Sequence, residues 1–148
     1  SDIIRDQLRA NPANAPILDE ALRITDELEA GRTVPGEGMH PALAPLYRPS
    51  VQPFLISMFA IDPAEQLRSY RGPVLVVQGS TDLQTSRADG ERVAAARPGV
   101  ELRLIEGMNH VLKVAPADRA ANMATYADPA LPLAPGVAEA IADFVAAN

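Results

Sequence analysis

Two side chains in this sequence have the types and the spacing to move a proton together. Asp82 stands just past the apolar run Val74 to Val77, in VLVVQGSTDLQT, and His110 stands 28 residues later, just past a second run, Val100 to Ile105, and at the end of GMNH. A carboxylate that accepts from one imidazole nitrogen fixes the tautomer of the ring and stabilises the imidazolium once it forms. The other nitrogen is then free to take a proton from a hydroxyl. Each residue alone has a plainer role, since an Asp after a strand commonly caps its own turn and a loop His is commonly satisfied by its neighbours. The order and spacing of the two together favour the acid–base reading.

The elements around them must bring the two together. Val74 to Val77 is short and apolar on both faces, which suits a central parallel strand. A helix is expected over Arg87 to Arg97, closed by Pro98-Gly99, and Val100 to Ile105 is expected as the next strand, placed beside the first by a right-handed crossover. Neighbouring strands run about 4.8 Å apart, and in a parallel sheet the loops after the strands share one edge. Asp82 and His110 would both lie on that edge. A last helix, Gly136 to Ala147, carries Val137, Ala140, Ile141, Phe144 and Val145 on one stripe.

The first part of the chain reads as helical. Asp2 can cap a short turn carrying Ile3, Ile4 and Leu8, and Pro16 to Ala30 puts Ile17, Leu18, Ala21, Leu22, Thr25 and Leu28 on one face, with Gly31 as its stop. Prolines at 35, 41, 45, 49 and 53 predict an irregular, stiff connection. PFLISMFAI, from Pro53 to Ile61, is apolar all round and fits helix or strand, and Asp62-Pro63-Ala64-Glu65 is a helix start with Asp at N-cap, Pro at N1 and Glu at N3.

PVLVVQGSTDLQT, the interval to GMNH, the strand–helix–strand pattern and the terminal amphipathic helix together resemble the C-terminal part of an α/β-hydrolase. The resemblance implies a partial α/β-hydrolase fold of the α/β class: residues 1–60 as a helical cap and residues 61–148 as the C-terminal part of the core. It implies Asp82 as the triad acid and His110 as the triad base, in the order Ser, Asp, His, with no cofactor and no metal, and a small ester or amide as substrate. Phe54 and Met58, on the cap, are candidates for the apolar pocket that receives an acyl group. Phe59, like both of them, reads as core or pocket wall, His40, Asn109 and Lys113 read as structural or solvent-facing, and Ser80 as a turn residue.

The family's nucleophile sits in G-x-S-x-G after a strand. Serines here fall at 1, 50, 57, 69, 80 and 86, none in that motif. The expectation is therefore a fragment whose nucleophile and N-terminal half lie elsewhere. Its open sheet edge and uncovered apolar helices point to a homo-oligomer when isolated. The alternative is a non-catalytic α/β binding or interaction module in which the polar pair merely stabilises loops.

Composition narrows the classes further. Of 148 residues, 47% are hydrophobic and 22% charged, as in a globular chain rather than a disordered tail, and the net charge of −6 with scattered Arg gives no footprint for nucleic acid or an anionic membrane. The absence of Cys removes disulfides, thiolate nucleophiles and Cys-based metal sites, and two His offer no ligand spacing.

Overall fold

The computed structural model describes residues 2–148, which divide into two compact units, one ending at Asp62 and the other running from Pro63 to Asn148. This boundary falls two residues beyond the expected one.

The first unit is all helical. Helix α1 (Asp2–Ala10) is followed by a 3₁₀ turn (Pro12–Ile17), α2 (Leu18–Glu29), a second 3₁₀ turn (Pro41–Leu43), α3 (Ala44–Tyr47) and α4 (Gln52–Phe59). Helix α2 buries Ala21, Ile24, Thr25 and Leu28, so Ile24 lies at the centre of a face that the sequence placed slightly to one side. Gly31, at φ +78°, ends it as expected. Leu43, Tyr47 and Leu55 complete this core.

The proline-rich stretch differs from expectation. Pro41, Pro45 and Pro53 each stand in the first turn of a helical segment, where the missing N–H costs no bond and the fixed φ favours the turn. These three start short helical segments, while no helix continues through the whole stretch. Gln52, fully buried, ties the stretch down: its Nε2 donates to the carbonyls of Val34 and Tyr47, and its Oε1 accepts from Val34 N. The Tyr47 hydroxyl lies 2.7 Å from Thr25 Oγ1, and burial raises its pKa.

The second unit mixes helices with a two-stranded parallel sheet. Its order is α5 (Pro63–Ser69), β1 (Val74–Gly79), α6 (Arg87–Ala94), β2 (Val100–Ile105), α7 (Arg119–Ala124) and α8 (Val137–Ala147). The register pairs Val74 with Val100 and Gly79 with Ile105. Ser86 and Asp89 form a capping box at the start of α6. Met108, Ala134 and Val137 form a small core against Val77 and Ile105.

Two features depart from the sequence reading. Strand β1 runs two residues further, to Gly79, and only Gln78 and Gly79 are buried, because among the described residues β1 has one strand neighbour, not two. On α8, Val137 alone is buried, while Ile141 and Val145 are exposed.

Candidate active site

Strand register carries the chain only to Gly79 and Ile105; the loops beyond must place the reactive residues themselves. They are joined closely. Ser80 N donates to Ile105 O at 3.1 Å, Thr81 N to Met108 O at 3.1 Å, and Gly107 N to Ser80 Oγ at 2.8 Å. Ser80 is thus a turn residue, as its position suggested. Gly79 permits the approach: a Cβ there would stand 2.0 Å from the Met108 carbonyl oxygen.

Asp82 divides its carboxylate between two tasks. Oδ1 accepts from Gln84 N at 2.7 Å and Thr85 N at 3.1 Å, which caps the turn. Oδ2 accepts from Thr85 Oγ1 at 3.0 Å and lies 3.0 Å from His110 Nδ1. One side chain thus both caps its own turn and meets the imidazole.

An ionised carboxylate only accepts, so the neutral ring facing it carries its proton on Nδ1 and its lone pair on Nε2. The His110 side chain is 40% exposed and that of Asp82 only 7%, so the imidazole is open to solvent while the carboxylate it meets is shielded. Burial acts to raise the Asp82 carboxyl. The bonds from Gln84, Thr85 and His110 outweigh it and hold the pKa below the ordinary carboxylate value.

That direction has a consequence for stability. A carboxyl depressed in the folded state contributes stability in full above its unfolded pKa, near 4, and loses it as pH falls through the lower folded value. Urea midpoints of the wild type and Asp82→Asn should therefore differ most at neutral pH and converge below about pH 4. A gap that does not change with pH would show that Asp82 ionises alike in both states.

His110 sits in a tight loop. Asn109 N donates to Lys113 O at 2.9 Å, and Asn109 Oδ1 accepts from Val111 N and Lys113 N at 3.2 and 3.0 Å. Leu112 takes a left-handed backbone, φ +62°, which costs a non-glycine residue about 1–2 kcal/mol. The Asn109 bonds and that of Ala134 N to Leu112 O, 2.8 Å, hold it there. Asn109 shapes the loop as expected but does not meet solvent; it is fully buried. Lys113 is half-buried, with its ammonium on the Asp128 carbonyl.

Asn122, on α7, was not foreseen. It too is fully buried, and its Nδ2 donates to Thr81 O and Pro116 O. The usable sequence signal was Asp118, whose side chain caps α7 by accepting from Ala121 N at 2.9 Å.

Phe54 and Met58 belong to the first unit. One helical turn apart on α4, they are 63% and 40% exposed, while Leu55 on the same helix is buried. His40 is structural, its Nδ1 accepting from Ala42 N at 3.2 Å.

No family model, no curated protein and no solved structure matches this chain.

Proposed function

We propose that this chain supplies the acid and the base of an α/β-hydrolase-type serine hydrolase, with a nucleophilic serine contributed by sequence outside these 148 residues. The supporting observation is the contact of Asp82 Oδ2 with His110 Nδ1, 3.0 Å, just past the carboxyl ends of adjacent parallel strands. His110 Nε2 takes the serine proton as the oxygen attacks an ester or amide carbonyl. It returns that proton to the leaving group as the tetrahedral intermediate collapses, then activates water against the acyl-enzyme. Asp82 stabilises the imidazolium throughout.

The serines of the second unit are engaged locally. Ser69 donates to Gln66 O, Ser80 accepts from Gly107 N, and Ser86 caps α6. The turn-capping bonds of Asp82 Oδ1 are what a non-catalytic module would also need. Ester turnover by the full reading frame separates the two readings: the enzyme loses it in His110→Ala, whereas turnover indifferent to His110 leaves the module.

A further inference from the structure

Beyond the strand ends, Asp82 lies three residues past Gly79 and His110 five residues past Ile105. At about 3.3 Å per residue, such lengths leave each loop room to wander by 10 Å or more. The pair stands at hydrogen-bond distance all the same, so something past the sheet must hold it.

Two buried carboxamides meet that need. Asn109 precedes the base, and Asn122 reaches the residue preceding the acid: its Nδ2 donates to Thr81 O at 2.8 Å and to Pro116 O at 2.9 Å. Asn122 Oδ1 accepts from Asn109 Nδ2 at 3.3 Å, and Asn109 Nδ2 also donates to Thr125 Oγ1 at 2.7 Å. The orientation of Asn122 is forced by its partners, because the flipped amide would set its oxygen against two carbonyls. Buried amides are costly unless bonded. Here Asn122 joins the acid loop, through Thr81 O, to the base loop, through Asn109 Nδ2.

We infer that Asn122 is a positioning residue: through Thr81 O on one side and Asn109 on the other, it sets Asp82 Oδ2 and His110 Nδ1 in register. Its catalytic meaning rests on the hydrolase reading, but its physical effect is visible without turnover. The ring that Asn122 holds against Asp82 keeps the Nδ1–H tautomer; a ring released from register exchanges between tautomers.

The chain contains only two histidines, and they should differ. His40 accepts at Nδ1, which makes it the Nε2–H tautomer and an internal reference. Nitrogen-15 spectra of the ring nitrogens at a pH where both rings are neutral read this directly. In the wild type, His110 should show a protonated Nδ1 and a bare Nε2. In Asn122→Asp, which keeps the volume and the acceptor for Asn109 but loses both donors, the two His110 resonances should move toward the averaged positions of an exchanging ring, with His40 unchanged. Thr125→Val, a gentler cut that removes one acceptor of Asn109, should move them the same way by less, and serves if Asn122→Asp does not fold. Folded variants with lowered Tm and an unmoved His110 signal would reduce Asn122 to a structural part and overturn the inference. A wild-type His110 without a protonated Nδ1 would instead sink the acid–base pair itself.

Discussion

His110→Ala in the full reading frame is expected to lower kcat for an aryl ester by about 10,000-fold or more, with little change in KM. On the proposed reading this residue both takes and returns the proton, and its side chain is 40% exposed. Asp82→Asn should cost a similar factor, about 10,000-fold or roughly 5.4 kcal/mol of transition-state stabilisation. An amide in place of the carboxylate can donate to Nδ1, which turns the ring to the wrong tautomer and removes the charge that stabilises the imidazolium. The double variant should be little worse than His110→Ala alone, because the groups act as one unit. Additive losses would mean that the two residues work apart. Steady-state kinetics on the three variants, with circular dichroism to confirm folding, reads all of this.

Gly79→Ala should be the most damaging methyl group that can be added to the second unit. The new Cβ would meet the Met108 carbonyl oxygen at 2.0 Å and its carbon at 2.6 Å, both backbone atoms that no rotamer change can move. Relief requires the loop bearing Met108, Asn109 and His110 to shift by about an ångström away from the loop bearing Asp82, at an expected cost of about 3 kcal/mol. That corresponds to a fall in Tm of about 12–24 °C for a unit of this size. The Thr81 N to Met108 O bond would be strained at the same time. Gly99→Ala is the natural control, since nothing lies within 4 Å of its Cβ position and only its φ of +85° opposes the change. Thermal melts that rank Gly79→Ala as the milder of the two would show that the loops are not packed as described.

Much of the second unit could be read from residue order. The bounds of β2, the helix start at Pro63 and the closing helix follow from local patterns that need no partner: alternation, a cap followed by Pro, and a 3.6-residue stripe. The meeting of Asp82 and His110 was legible because parallel strands place their following loops on one edge. The clamp on that meeting was not. Thr81 and Asn122 are 41 residues apart, and a bond between a backbone carbonyl and a buried amide leaves no periodicity in the sequence. The prolines of the first unit misled for a different reason. A proline that begins a helix and one that forbids it look alike until the bonds of the next turn are seen, and Pro41, Pro45 and Pro53 all began one. The burial of β1 was over-read because an apolar run reports what a strand can bury, not how many neighbours it has.

The most direct test of the central claim is covalent labelling of the full reading frame with a fluorophosphonate, located by mass spectrometry. One equivalent is expected on a serine outside these 148 residues, with the labelling rate falling by at least about 1,000-fold in His110→Ala. Labelling that proceeds at the same rate in His110→Ala, or that falls on Ser80, would contradict it.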